Sequence, residues 1–207
     1  MASTDARPLG RVAAVAALVV LLAACGEGNP DPSAPADIGA PASVDATDAV
    51  PGVPGPMVLT STDLVDGGPI ADPQVCTALG GGNQPPALTW TGVPEAATSL
   101  ALVVSDPDAP VEGGFVHWVV VDLDPATGGL APGLASGRAG RNSAGEDGYL
   151  GPCPPAGTPH HYVFTLYAFA APPTWAEHPT GADVVDAAPA AIAVATLTGI
   201  YGRPEAG

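Results

Sequence analysis

The sequence predicts a mainly β protein built from short strands and many turns. Its 207 residues include 27 glycines and 26 prolines, which interrupt helices and mark turns. The apolar runs are short, rich in β-branched or aromatic residues and bounded by turn residues, as in Leu100–Val104, Phe115–Val121 and Tyr162–Phe169. Hydrophobic residues make up 46% of the chain, so a core is available. Together these features favour a β-rich domain over a helical one.

Residues 1–25 have the pattern of a targeting segment. Arg7 and Arg11 supply positive charge ahead of Val12–Leu22, an apolar run too short for a stable membrane span. The segment ends Leu-Ala-Ala-Cys, which resembles a bacterial lipobox. We therefore predict a lipid on Cys25 that anchors the protein to the extracytoplasmic face of the cell membrane. The alternative is an ordinary secretory signal with an incidental cysteine.

Residues 26–56 are dominated by Pro, Ala, Gly, Ser and Asp and show no apolar period. Such a segment cannot bury enough apolar surface to offset the entropy lost on ordering. We predict a disordered tether over 26–56 and a globular domain over 57–203.

The first part of the domain is rich in turns. It opens with the apolar residues of Met57–Thr60, and Asp66–Pro69 and Gly80–Asn83 carry turn signals. Leu88 and Trp90 lie two residues apart and share a face of an extended chain, which predicts a strand that enters the core.

The centre of the domain places two polar side chains at strand ends. The buried strand over Leu100–Val104 ends at the Asp-Pro-Asp-Ala-Pro that follows, because proline cannot donate a ladder hydrogen bond. A second strand resumes at Phe115. Asp106 therefore follows one strand and His117 lies near the start of the next, so both can face one end of a sheet as a binding pair. The alternative is that Asp106 only forms a turn and His117 is a satisfied core residue.

A long irregular segment precedes the next strand. Gly140–His161 is rich in glycine, which permits close approach of a ligand, and in proline, which stiffens the chain. The strand Tyr162–Phe169 follows, and alternation puts four of its side chains on one face: Tyr162, Phe164, Leu166 and Ala168. The Ala-rich tail Asp183–Leu197 is weakly helical in composition, and we expect a helix to start or kink at Pro189.

The formal net charge of −16 limits the partners of the protein. An acidic surface repels phosphate backbones, which argues against nucleic-acid binding and against docking on anionic lipid through a basic patch. It leaves room for one small anion in a local pocket.

Six segments of the domain stand out when they are taken in order: Asn83–Trp90, Ser99–Pro110, Gly113–Trp118, Gly148–Pro155, His160–Phe164 and Gly199–Arg203. Together they resemble the phosphatidylethanolamine-binding protein (PEBP) family, in its bacterial Raf-kinase-inhibitor-like branch of YbhB/YbcL type. The resemblance implies a large, mainly antiparallel sheet, a smaller second sheet and a few short helices. It also implies a small pocket at one end that takes phosphate-type anionic groups, and we expect no cofactor.

The resemblance assigns pocket roles residue by residue. The ligand-binding set that it implies is Asp106, His117, Gly151, Pro152, His160 and Tyr162. Pro85 matches a cis-proline near the pocket rim. The chain departs from the family pattern at His161, where the family usually has arginine.

Cys76 and Cys153 are the two cysteines that remain after Cys25. Thiols outside the cytoplasm tend to pair, and a bridge would join the loop before Pro85 to the pocket loop. Two separate buried thiols are the alternative.

These residues predict a binding protein for a small anionic ligand, such as phosphate or a phospholipid head group. Protonated His117 or His160 would donate charge-assisted hydrogen bonds to phosphate oxygens, and Asp106 would hold an imidazolium charged. The alternative is a protein-interaction module that inhibits a protease or kinase-like partner through its surface. A metal site on the same Asp-His-His set and a phosphoester hydrolase are the remaining hypotheses, and we expect neither a metal nor catalysis.

Overall fold

The computed structural model describes residues 55–131 and 136–205. The predicted signal segment, the lipidation site Cys25 and the predicted tether, apart from its last two residues, lie outside these ranges. Within them, none of the helices has the length and apolar character needed to cross a bilayer.

Strands dominate the described part of the chain, with one short α-helix and short 3-10 turns. The strands are β1 (Val58–Ser61), β2 (Gly68–Pro69), β3 (Leu88–Thr91), β4 (Ser99–Asp106), β5 (Phe115–Leu123), β6 (Gly129–Leu130), β7 (Arg138–Ala139), β8 (His160–Phe169) and β9 (Ala191–Tyr201). The helix is α1 (Gly181–Ala187), and the 3-10 turns are Asp72–Gln74, Thr77–Leu79, Pro125–Thr127 and Ala188–Ala190.

The strands form two sheets. The large sheet has six strands in the order β2-β9-β8-β4-β5-β7, and the small sheet has three in the order β1-β3-β6. Every pairing is antiparallel except the short β2–β9 pair. The predicted mainly β class, with a large antiparallel sheet and a smaller second sheet, is confirmed.

The main core includes residues of both sheets. Leu88 and Trp90 of β3 belong to the same buried cluster as Leu102 of β4 and Phe164 of β8. A second cluster, which includes Val103 and the helix residue Val184, contains alternate residues of the central strands. The strand β4 is thus buried on both faces, which explains its unbroken apolar run.

The inward alternation predicted for the strand before the tail is also confirmed. Four side chains of β8 are buried on one face: Tyr162, Phe164, Leu166 and Ala168. The strand begins two residues earlier than predicted, at His160, because its pairing with β9 starts at the His160–Tyr201 pair.

The helical prediction for the tail is right up to Ala190 and wrong from Ala191 onward. The helix α1 ends at Ala187, before Pro189, and Ala191–Tyr201 is β9, the longest strand described. Ladder pairing with β8 runs along almost the whole strand. The odd positions Ala195 and Leu197 enter the core, so packing at a period of two overrides the helix propensity of alanine.

Candidate functional site

Three adjacent strands bring the predicted polar residues to one end of the large sheet. Asp106 is the last residue of β4 and is paired with Phe115, the first residue of β5. His160 is the first residue of β8, which pairs with the other side of β4. Antiparallel order therefore places one strand end beside two strand starts.

A bulge sets the position of His117. Val104 pairs with Trp118 and Ser105 pairs with Val116, so the residue between them on β5 has no register partner. A bulge of this kind bends the strand and redirects a side chain. Here the redirected side chain is His117, which is buried beside Asp106.

Asp106 lies at the centre of the polar group. His160 Nδ1 donates a hydrogen bond to Asp106 Oδ2 over 2.7 Å, and His117 Nε2 lies 3.9 Å from the same oxygen. The other carboxylate oxygen, Oδ1, accepts the backbone N–H of Asp108 over 2.9 Å. All three ionisable side chains are buried, at 3% exposure for Asp106, 4% for His117 and 7% for His160. Hydrogen bonding to both oxygens makes the burial of the carboxylate tolerable.

The imidazole of His117 is held in one tautomer. Its Nδ1 donates to the carbonyl oxygen of Leu150 over 2.8 Å, and the N–H of Leu150 donates back to the carbonyl of His117 over 2.9 Å. The pKa of His117 is lowered from 6.5, chiefly because burial disfavours its charged form and also because of the charge of His160. The Leu150 hydrogen bond and Asp106 act in the opposite direction. The neutral ring therefore carries its lone pair on Nε2, the nitrogen nearer to Asp106.

The three side chains line a single cavity of about 190 Å³. The rest of the lining was not assigned to the site by the sequence and is apolar except for one sulfur residue: Ala109, Pro110, Val111, Phe115, Leu150, Cys153, Pro154 and Pro155. All of them except Val111 lie inside the segments that resemble the family, which was the one signal available in the sequence. Neither arginine nor lysine belongs to this lining, so positive charge can come only from imidazole.

Tyr162, predicted to bind the ligand, lies behind the lining. Its side chain is 1% exposed, and its hydroxyl has no hydrogen-bond partner among the described residues. Burial raises the pKa of Tyr162 far above 10, and the charge of Asp106 adds to this rise. Its ring packs edge-on against His117 with centroids 5.1 Å apart, so in this structure Tyr162 supports the imidazole.

Gly151 and Pro152 also lie outside the lining. They hold the loop that contains the lining residues Leu150 and Cys153 against the loop of Cys76 and Asn83. Gly151 donates its N–H to Asn83 Oδ1 over 2.7 Å, and the carbonyl of Pro152 accepts the N–H of Cys76 over 3.1 Å. A Cβ on Gly151 would collide with the carbonyl oxygen of Gln74. Only glycine allows the two loops to approach this closely.

A disulfide joins the same two loops. Cys76 and Cys153 are bonded, with Cα atoms 5.6 Å apart. Of the two alternatives that the sequence left open, the structure has the bridge. Pro85 is half-buried and outside the cavity lining, and its assignment as a cis-proline stays a prediction.

His161 points to a different carboxylate from His160. It is exposed, and Asp108 Oδ2 accepts both its backbone N–H, over 2.8 Å, and its Nδ1 donor, over 2.7 Å. These two hydrogen bonds are the main reason that the pKa of Asp108 is lowered. Consecutive histidines thus pair with the two aspartates of the Asp-Pro-Asp turn, and His161 takes no part in the lining.

The polar group is not arranged as a metal centre. Across residues 55–131 and 136–205, no group of three or more His, Cys, Asp or Glu side chains is placed to hold a metal ion. Two of the atoms that a metal ion could use, His160 Nδ1 and Asp106 Oδ2, are already joined to each other by a hydrogen bond.

The fold and the site define a two-sheet β protein with a small cavity at the end of its central strands. The sequence model described as Phosphatidylethanolamine-binding protein matches residues 60–202, and the chain belongs to this family.

Relatives agree with this assignment. The chain is 44% identical over 178 residues to the protein named "Putative lipoprotein LppC" of Mycobacterium tuberculosis, covering 84% of each. It is 42% identical over 160 residues to the UPF0098 protein Rv1910c of the same species, covering 75% of this chain and 74% of that protein. The crystal structure of Escherichia coli YbcL, described as a new member of the mammalian PEBP family, is similar with a TM-score of 0.66 and 34% identity. That match covers 72% of this chain and 99% of YbcL.

Proposed function

We propose that this protein binds a small anionic group of phosphate type, such as a phospholipid head group, in the cavity of Asp106, His117 and His160. The observation that carries the proposal is the convergence of two imidazoles on one buried carboxylate at a solvent-reachable cavity. The family to which the chain belongs is named for a phospholipid, which supports the same ligand class.

The charges of the site couple anion binding to protons. Since the lining contains neither lysine nor arginine, an anion must be met by imidazolium N–H donors. The neutral His117 offers a bare Nε2, so an arriving phosphate brings or recruits a proton to that nitrogen. The affinity for phosphate therefore rises as pH falls through the histidine range.

The test is a calorimetric titration of the protein with O-phosphoethanolamine and with inorganic phosphate between about pH 5 and pH 8. Repeating it in buffers of different ionisation enthalpy counts the protons taken up. We expect proton uptake on binding and an affinity that falls by about tenfold or more across this range. Affinity that is independent of pH would contradict imidazolium donation.

Matched histidine variants locate the effect. His117→Ala and His160→Ala are expected to remove binding, because each deletes one donor of the cavity. His178→Ala is the control: His178 is exposed and pairs with Asp147, outside the lining. Equal binding by all three variants would contradict binding of the anion in this cavity.

We further propose that the protein is held at the membrane by a lipid on Cys25. The lipoprotein name of the Mycobacterium tuberculosis relative supports this, together with the lipobox-like residues before Cys25. Metabolic labelling with a palmitate analogue is expected to label the wild-type chain, and Cys25→Ser to abolish the label.

We propose a binding role in preference to a catalytic one. Among the described residues that line the cavity there is no serine, threonine or lysine, and the cysteine is held in a disulfide. Release of inorganic phosphate from a phosphoester, lost in His160→Ala, would overturn this part of the proposal.

A further inference from the structure

The cavity wall contains one of the two disulfide-bonded cysteines. Cys153 is exposed and lines the cavity together with His117 and His160. Its disulfide partner Cys76 is 3% exposed and does not belong to the lining. A molecule in the cavity can therefore approach the disulfide from the Cys153 side and not from the Cys76 side.

The wall does not depend on the disulfide alone. Three hydrogen bonds join the same two loops: Tyr149 Oη to the carbonyl of Gln74 over 2.9 Å, Gly151 N to Asn83 Oδ1 over 2.7 Å, and Cys76 N to the carbonyl of Pro152 over 3.1 Å. None of these hydrogen bonds uses a sulfur atom, so we expect the cavity to keep its shape when the sulfur–sulfur bond opens.

The cavity also contains a proton acceptor for a thiol. His117 donates from Nδ1 to Leu150, which leaves Nε2 as the acceptor nitrogen of its neutral ring. A thiol becomes a nucleophile only when it loses its proton, so an unprotonated imidazole in the same cavity favours exchange.

We propose that the Cys76–Cys153 disulfide is a thiol-exchange site that opens into the cavity and takes small thiols. The entering thiol gives its proton to His117 Nε2, and its sulfur forms a bond to Cys153 Sγ. The bond between Cys153 Sγ and Cys76 Sγ breaks, and Cys76 leaves with the electron pair and receives a proton through solvent. One disulfide and one thiol are consumed and one of each is formed, so no separate oxidant or reductant is required.

The mixed disulfide on Cys153 occupies the space in front of the two histidines. If the anion site proposed above is correct, this adduct excludes the anion, and thiols regulate binding. This consequence rests on the proposed function, but the exchange itself does not, and the tests below need no anion.

The first test uses the full chain with the single substitution Cys25→Ser, so that only Cys76 and Cys153 remain. The protein is treated with 2-mercaptoethanol, quenched with acid and mapped by peptide mass spectrometry. We expect the adduct on Cys153 and the free thiol on Cys76, in about tenfold excess over the reverse arrangement. An even distribution of the adduct, or reduction of both cysteines without any adduct, would overturn the proposal.

The second test compares two variants that lack the disulfide equally. In Cys76→Ser the remaining thiol is Cys153, and in Cys153→Ser it is Cys76. With methyl methanethiosulfonate, the Cys153 thiol is expected to react at least about tenfold faster than the Cys76 thiol under native conditions. Equal rates would contradict the proposal. Near-ultraviolet circular dichroism identifies any variant that has not folded, and the first test then decides alone.

A third comparison tests whether the thiol reaches the disulfide through the cavity. Ala109 lines the cavity, so Ala109→Phe narrows the cavity. Ala144→Phe adds the same ring at an exposed position outside the lining. We expect slower exchange by about fivefold or more in Ala109→Phe and no change in Ala144→Phe. Equal exchange rates in the two variants would overturn the cavity route.

Discussion

Asp106 is buried with two imidazoles beside it, and its hydrogen bonds explain why this arrangement folds. His160 and the N–H of Asp108 engage one carboxylate oxygen each, while the nearest nitrogen of His117 lies 3.9 Å away. The two histidines therefore have different roles in the site. His160 is fixed by the carboxylate, and His117 is fixed by Leu150 and remains available to gain a proton.

The lowered pKa of His117 predicts how stability depends on pH. Between the folded-state pKa and 6.5, the unfolded chain binds a proton that the folded protein does not bind. The contribution of His117 to stability is thus complete above 6.5 and is lost as pH falls below it. We expect the urea midpoint of the wild type to drop between about pH 7 and pH 5 more than that of His117→Gln.

The control for this measurement is His178→Gln, since His178 is exposed. In this variant the urea midpoint should drop with falling pH as much as it does in the wild type. If the midpoint of His117→Gln also drops as much as that of the wild type, other groups cause the dependence of stability on pH.

The buried hydroxyl of Tyr162 gives a second prediction at this scale. A buried polar group without a partner costs about 1–3 kcal/mol. Since no described residue bonds to this hydroxyl, Tyr162→Phe is expected to leave the free energy of unfolding unchanged or to raise it by about 1 kcal/mol. Urea denaturation measures it. A loss of more than about 1 kcal/mol would mean that the hydroxyl is hydrogen-bonded in solution.

At the scale of elements, the helix α1 is short and is held at its start by a capping box. Thr180 Oγ1 accepts the N–H of Asp183, and Asp183 Oδ2 accepts the N–H of Thr180 over 2.7 Å. The hydroxyl of Thr180 also donates to Asp183 Oδ2 over 2.7 Å. The two hydrogen bonds that Thr180 donates, from its N–H and its hydroxyl, lower the pKa of Asp183. The helix contributes Val184 to the second core cluster, so the cap positions a buried residue.

Removing this cap should destabilise the domain. We expect Thr180→Ala to lower the free energy of unfolding by about 1 kcal/mol, and Thr180→Ser to lower it by less, because serine keeps the accepting oxygen. Urea denaturation of both variants checks the order. Equal losses in the two variants would show that the methyl group of Thr180, and not its oxygen, is responsible.

Strand geometry explains what could be predicted about the elements. Runs such as that of β4 and the alternation of β8 are local patterns, so their existence was predictable. The tail was not, because its alanines suit a helix and only the ten-residue pairing partner β8 makes it a strand. The bulge at His117 could likewise not be predicted, since it is a shift of register between β4 and β5 and not a pattern within one strand.

At the scale of the whole molecule, the disulfide spans 77 residues of sequence and closes a long loop. A link of this kind stabilises mainly by restricting the unfolded chain. We expect the Cys76→Ser, Cys153→Ser double variant to lose about 2–4 kcal/mol in urea denaturation relative to the oxidised wild type. Reducing the wild type should bring its stability close to that of the double variant. A loss below about 1 kcal/mol would contradict a main effect through the unfolded chain.

The sequence by itself determined the β class, the two strands that carry Asp106 and His117, and the acidic character of the protein. These depend on local turn chemistry, short-range apolar patterns and composition. The tertiary structure alone decided which residues form the cavity wall. Phe115, Leu150 and Cys153 line it, whereas Gly151, Pro152 and Tyr162 stand behind it. The reason is physical: whether a side chain lines or supports a cavity depends on the packing of loops and strands that lie far apart in the chain.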